Sequence, residues 1–247
     1  KVLENNKRTR SPKLKISELR KYRANMTKVP CGNKELDEML GGGIELEALT
    51  EVYGAFASGK TQFCYSTLVE AMFKHKWKAV WIDCEDTFDP ERLHQIIKAR
   101  GYADGMSVDE IDEFIDQNLQ YTHTPNTDTV VEEVQNLSAK LVEDESIKLI
   151  IIDGATGQFR EEYLGRGTLA SRQQNLAKFM GVLKNSAYFF NVAVLMTNQV
   201  LSDPSQSYGD PIRPVGGHIV GHASTYRLYF KKSGKKRYAQ AVDSPKQ

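Results

Sequence analysis

Runs of apolar residues alternate with amphipathic stretches along most of the chain. Residues 149–153, Leu149-Ile150-Ile151-Ile152-Asp153, form a continuous apolar run. Such a run predicts a strand buried on both faces of a parallel sheet. Residues 49–53, 78–83, 119–123 and 192–197 read as further strands. Helical spacing fills the intervals: 61–74 without Pro or Gly, 90–100 with Pro90 near its start, 108–117, 127–144 and 171–189. In 127–144, Val130, Val131, Val134, Leu137 and Leu141 share one side. Upstream, 14–26 reads as a short basic helix and 29–32 as a turn. Residues 33–40 read as a helix with Asn33 as its N-cap, ended by Gly41-Gly42-Gly43. Residues 226–231 and 237–242 predict an antiparallel hairpin around Ser233-Gly234-Lys235. The alternation predicts an α/β fold with a mostly parallel central sheet, helices on its faces and the hairpin at one edge. Residues 1–28 form a basic tail or linker, and 29–247 the core.

One loop gives the fold a chemistry. Gly54-Ala55-Phe56-Ala57-Ser58-Gly59-Lys60-Thr61 reads G-x-x-x-x-G-K-[ST], with Gln62 next, between a strand and a helix. That context is what a phosphate-binding loop needs. Gly54 and Gly59 let the backbone turn so that successive N–H groups face a phosphate chain. The helix start adds its positive dipole end. Lys60 is expected to reach the β- and γ-phosphates of ATP, and the Thr61 hydroxyl to hold Mg²⁺. A glycine-rich turn capping a core helix is the plainer alternative, and the full eight-residue pattern argues against it.

Catalysis needs a carboxylate near the metal ion and a group that orients water. Asp153 ends the most apolar strand, Glu85 lies just past a second strand end, and Gln199 follows a third. Strand ends in such sheets line the ligand crevice. Glu85 is therefore a candidate to polarise water, Asp153 to meet Mg²⁺ and Gln199 to sense the γ-phosphate; an ordinary polar residue at a strand end is an equal reading of Gln199.

Charge is uneven on a chain of 247 residues with formal net charge +1. Residues 1–28 carry ten Lys/Arg against Glu4 and Glu18, and 227–247 carry seven against Asp243. Basic ends suit an anion such as nucleic acid, or an acidic neighbouring subunit, whereas the first dozen residues read as a solvated tail. Cys31, Cys64 and Cys84 lack metal or redox spacing and read as reduced thiols of an intracellular protein. No stretch approaches the ~20 apolar residues of a membrane span, and no signal peptide is visible. The chain starts without Met and reads as a fragment.

With these segments in place, the chain resembles the ATPase core of RecA-family strand-exchange recombinases of the archaeal RadA and eukaryotic type. The resemblance rests on Cys31-Gly32-Asn33-Lys34-Glu35-Leu36-Asp37 and on residues 40–45, 54–62, 82–92, 159–169, 197–200 and 216–223. It implies that Glu85 activates water, Arg92 stacks on adenine, Asp153 is the Walker B residue and Gln199 the γ-phosphate sensor. It implies that His222 reaches the nucleotide at a subunit interface, and that Asp243 and Pro245 cap the ATP of a neighbour. It implies two DNA loops. The first carries Arg160, Tyr163, Gly165, Arg166 and Arg172; the second runs from Val200 through Arg213 to Gly216 and Gly217. It further implies a helical filament on single-stranded DNA, pairing with duplex DNA, and possible recombination mediator proteins as partners. A recombinase paralogue that binds ATP and partners without efficient strand exchange is the alternative. The chain departs from the family pattern at Ala55, Ala57, Asp89 and Gly154. It reads Leu14-Lys15-Ile16-Ser17 where the family carries a Phe-x-x-Ala polymerisation motif.

Overall fold

A computed structural model describes residues 15–162, 169–202 and 212–245. Its first third runs α1 (Ile16–Ala24), β1 (Lys28–Val29), α2 (Lys34–Met39), β2 (Ile44–Glu45), β3 (Leu49–Gly54), α3 (Lys60–Val69), β4 (Lys78–Asp83) and α4 (Pro90–Ala99). Next come α5 (Val108–Asn118), β5 (Leu119–His123), α6 (Thr127–Glu143), β6 (Ile147–Asp153), α7 (Ala155–Glu162) and α8 (Leu169–Phe190). The chain continues with β7 (Ala193–Asn198), β8 (Val200–Ser202), β9 (Ile212–Pro214), α9 (Gly217–Ala223), β10 (Tyr226–Ser233) and β11 (Lys236–Asp243).

Among the described residues the main sheet has seven strands in the order β11-β10-β3-β7-β6-β4-β5. Only β10 and β11 pair antiparallel; the other neighbours are parallel. The predicted α/β class and the hairpin at one edge are therefore present. Every residue of β3 and β7 is buried, as strands covered on both faces must be. One face packs Phe63, Leu68, Met72, Trp81 and Ile97 around Leu149 and Ile151. The other packs Val130, Val134, Leu137, Phe159, Phe179 and Leu183 around Ile150 and Ile152. Alternate residues of β6 thus serve opposite cores, which is why its apolar run is unbroken.

Local signals place the helices. Asn33 accepts from the Leu36 amide at 3.0 Å, the predicted N-cap of α2. Asp89 caps α4 ahead of Pro90. Ser107 and Glu110 form a reciprocal capping box on α5. Four regions differ from the sequence reading. The helix expected over 61–74 is α-helical only to Val69 and closes in a π-helical turn, Glu70–Lys74. The turn at 29–32 begins inside β1, which pairs with β2. The stretch after Asp153, expected as a loop, starts as α7. The expected long loop from Val200 contains the β8–β9 pair and ends in α9. The short basic helix exists as α1 and buries none of its residues; residues 1–14 of the tail, Leu14 among them, lie outside the described residues.

A buried charge network locks the middle of the sheet. Glu51 on β3 is fully buried and accepts from Arg227 Nε on β10 at 2.7 Å and from Asn198 Nδ2 on β7 at 2.6 Å. Removing one partner of a buried pair leaves an uncompensated charge. Arg227→Ala should cost about 3 kcal/mol or more in urea unfolding. A loss below about 1 kcal/mol, the range of surface pairs, would show that the network is not structural.

Candidate nucleotide site and nucleic-acid cavity

The phosphate loop leaves β3 at Gly54 and enters α3 at Lys60. Gly54 was expected to let the chain turn, but close approach is what demands it. A Cβ there would lie 2.3 Å from the Phe230 carbonyl oxygen on the neighbouring β10. The turn is made instead by Ala57 and Gly59, with φ of 57° and 104°. Lys60 Nζ folds back onto the carbonyls of Gly54 (3.0 Å) and Ala55 (3.2 Å). Burial lowers its pKa from the ordinary lysine value, while the Glu85 and Asp153 carboxylates work against that shift. The ammonium is thus held at the loop by backbone oxygens, with both candidate carboxylates near enough to act on it. Phe56 stands almost wholly exposed beside it.

Asp153 closes β6, two strands from β3 in the same sheet. It is 1% exposed. Burial pushes its carboxyl up to about 6, opposed by hydrogen bonding from Thr197 and by the Thr61 side chain. Thr197 donates to Oδ1 and in turn accepts from the Gly154 amide at 2.9 Å. Asp153 Oδ2 and Ser58 Oγ are buried oxygens without a hydrogen-bond partner. Buried orphan oxygens need a reason, and an absent ion or water is a common one. Among the described residues no group of three or more His, Cys, Asp and Glu could cage a metal ion. One carboxylate with nearby hydroxyls fits Mg²⁺, which takes few protein ligands and fills the rest from phosphates and water. Sequence reasoning assigned Thr61 and Asp153 to the metal ion and placed Ser58 in the phosphate loop; it missed Thr197.

Glu85 and Gln199, singled out separately in the sequence, meet in the fold. Gln199 Nε2 donates to Glu85 Oε1 at 2.9 Å. Glu85 sits in a loop held by the buried Asp83, which accepts the Glu85 amide at 3.1 Å and those of Thr87 and Phe88 at 2.9 Å. Gly154, with φ 88°, lies directly beneath: a Cβ there would come within 2.3 Å of Glu85 Cγ. The absence of a side chain at position 154 therefore leaves room for the Glu85 carboxylate. Arg92 is oriented by Gln62 (Nε to Oε1, 2.7 Å) and by Gln95. Cys84 in this loop is a protonated thiol, pushed up to about 12 chiefly by burial.

Three predicted residues sit elsewhere. Strand β10 runs parallel to β3, so its Phe230 end lies at Gly54 while Arg227 lies at Glu51. Because β11 runs back and pairs Asp243 with Arg227, Asp243 and Pro245 leave the sheet away from this chain's phosphate loop. His222 lies on α9, stacked on His218 with ring centroids 5.8 Å apart. The two line a separate groove with Met180 and Lys184. The i, i+4 spacing was the available signal for His218.

The arginines predicted to meet DNA converge. Arg160, Arg172 and Arg213 line one cavity of about 710 Å³, with Gly216 and Gly217 at its wall. Helices α7 and α8, strand β9 and the turn before α9 meet there. Val200 pairs with Pro214 across β8–β9. Gly216 takes φ 85° at the N-cap of α9. Tyr163, Gly165 and Arg166 fall outside the described residues.

A phosphate loop on β3, facing carboxylates at the ends of parallel strands β4 and β6, defines a RecA-like P-loop core. Residues 22–247 match the family model described as Rad51. The chain belongs to the Rad51 family. It is 47% identical over 236 residues to the DNA repair and recombination protein RadA of Cenarchaeum symbiosum (strain A), covering 93% of this chain and 57% of that protein. It is 42% identical over 227 residues to the RadA of Aeropyrum pernix, covering 90% and 68%. It is 40% identical over 242 residues to the RadA of Ignicoccus hospitalis, covering 92% and 70%. The chain thus spans between 57% and 70% of these relatives' lengths. No helix among the described residues is long and apolar enough to cross a membrane.

The raised Asp153 carboxyl gives a signed pH dependence. Its ordinary value is 3.8 and its folded value about 6, so the folded chain holds the extra proton between those values. Stability without ligand therefore falls as pH rises through that window, and the loss is complete above it. Asp153→Asn should raise urea stability at pH 7 by on the order of 1–3 kcal/mol, and leave it unchanged well below pH 4. A clear loss at pH 7 would show that the ionised carboxylate is already compensated by the protein.

Proposed function

We propose that the chain is the ATPase core of a DNA recombinase. It binds ATP and Mg²⁺ at the phosphate loop and hydrolyses ATP in response to DNA. It assembles as a filament on single-stranded DNA, pairs that strand with homologous duplex and promotes strand exchange in recombinational repair. The observation that carries this reading is the joint presence of the Glu85–Gln199 pair and the three-arginine cavity on opposite sides of α7. The similarity to RadA relatives named as DNA repair and recombination proteins supports it.

In the proposed mechanism Lys60 exchanges its backbone carbonyls for phosphate oxygens and neutralises charge developing there. Thr61 and Asp153 would hold Mg²⁺, and the ion would supply electrostatic stabilisation of the transferring phosphoryl group. Glu85 accepts a proton from the attacking water and Gln199 keeps the carboxylate aimed. Arg160, Arg172 and Arg213 bind backbone phosphates, which carry affinity without sequence preference. Asp243 and Pro245 point away from their own nucleotide and serve a neighbouring protomer in a head-to-tail assembly.

Lys60→Ala should abolish ATP-dependent binding of single-stranded DNA, measured by fluorescence anisotropy; undiminished ATP-dependent binding would refute the assignment. Glu85→Gln should still bind ATP while turnover falls by about 100-fold or more. Arg172→Ala should weaken binding equally for different sequences and reduce the slope of log affinity against log salt by about 0.7. A loss confined to one sequence would contradict phosphate contact.

A further inference from the structure

Helix α7 lies between the Glu85–Gln199 pair and the arginine cavity, and its residues divide between the two. Gly154, just before it, backs onto Glu85, and a Cβ on Gly157 would sit 3.5 Å from Gln199 Nε2. Phe159 and Arg160 face the cavity. Thr156 also lines the cavity and donates to Asn198, the residue before Gln199. Gln158 is buried and reaches the other way: its Nε2 donates to the carbonyls of Cys84, at 3.1 Å, and of Thr124.

The Cys84–Glu85 peptide unit is therefore gripped from both sides. Gln158 holds its carbonyl, and Asp83 Oδ1 holds its N–H at 3.1 Å. A peptide unit is planar, so whatever turns that carbonyl turns the Cα of Glu85. Asp83 belongs to the rigid sheet, whereas Gln158 belongs to the helix that carries Arg160. Gln158 Oε1 is buried and has no hydrogen-bond partner. A half-satisfied buried amide is costly, so the observed arrangement leaves Gln158 something to gain from a small shift of α7.

We propose that Gln158 is a positioning residue that couples occupancy of the arginine cavity to the orientation of Glu85. A polyanion that draws Arg160 moves α7. Gln158 then carries the Cys84 carbonyl with it, and Glu85 is re-aimed at its water. This rests on the proposed DNA-dependent ATPase reading and names the residue that transmits the dependence. Sequence spacing alone did not single out Gln158, because its acceptors lie 74 and 34 residues away.

The test compares wild type with Gln158→Met, which keeps the side-chain length and loses the donated bonds. Both proteins are given ATP, Mg²⁺ and an oligodeoxythymidylate. Two quantities are read: the ratio of stimulated to basal ATP turnover, and the oligonucleotide-induced change in hydrogen exchange over residues 83–89. The substitution should cut the stimulation ratio by about fivefold or more. It should also remove the exchange response, with ATP and oligonucleotide affinities unchanged. Gln158→Glu keeps the shape and faces two carbonyls with a carboxylate, and should behave alike; it serves if the methionine variant does not fold. A wild-type ratio and a wild-type exchange response in either folded variant would overturn the coupling while leaving the ATPase reading intact. If wild type shows no stimulation but residues 83–89 respond through Gln158, the ATPase reading fails and the coupling stands. If wild type shows neither response, both are overturned.

Discussion

The carboxylate of Asp153 ends the most apolar strand of the sheet in a place where water is excluded. One of its oxygens is satisfied by Thr197 and the other is not. Holding an ionised group there is unfavourable unless positive charge is brought to it. Lys60, drawn in by backbone carbonyls at 3.0 and 3.2 Å, supplies part of that charge. The rest is what a divalent ion beside Thr61 would add. The parallel sheet makes the arrangement possible. Its strands bury both faces, so polar groups concentrate at their carboxyl ends, where Asp83, Asp153 and Asn198 close β4, β6 and β7.

The two halves of the proposed activity share one short stretch of backbone. The chain leaves Asp153 past Glu85 at Gly154 and, as α7 begins, past Gln199 at Gly157. The helix ends among the cavity's arginines. Behind it, Asn198 donates to both Glu51 and the Val215 carbonyl, at 2.6 and 2.8 Å. The fixed sheet and the end of the β8–β9 excursion are thereby tied through one buried amide. A displacement of α7 thus has a stationary frame on one side and a hydrogen-bonded carboxylate loop on the other. That is the geometry of a lever, and it would give the proposed DNA-dependent hydrolysis a physical basis in named bonds.

Much of this was legible in the sequence. The strand runs, the phosphate loop and the hairpin are strong local signals. Glu85 and Gln199 were each found by their position past a strand end, and the fold then joined them at 2.9 Å. What the sequence hid depends on neighbours distant in the chain. Gly54 reads as a turn residue, yet the constraint is the Phe230 carbonyl on β10. Helix α7 reads as a loop because Gly154, just before it, and Gly157, within it, weaken the helical pattern; of the two, Gly154 is the one its neighbours demand, since a Cβ there would lie 2.3 Å from Glu85 Cγ. The burial of Glu51 follows only from the pairing of β3 with β7 and β10. Asp243 and Pro245 could be placed away from their own phosphate loop only once the β10–β11 register was known.

The measurement that bears most directly on the account is steady-state ATP turnover by the chain with and without single-stranded DNA, with Mg²⁺ present. The account predicts clear stimulation by DNA of any sequence, weakening as salt is raised. Turnover that is insensitive to DNA, under conditions where both ATP and DNA are bound, would contradict it.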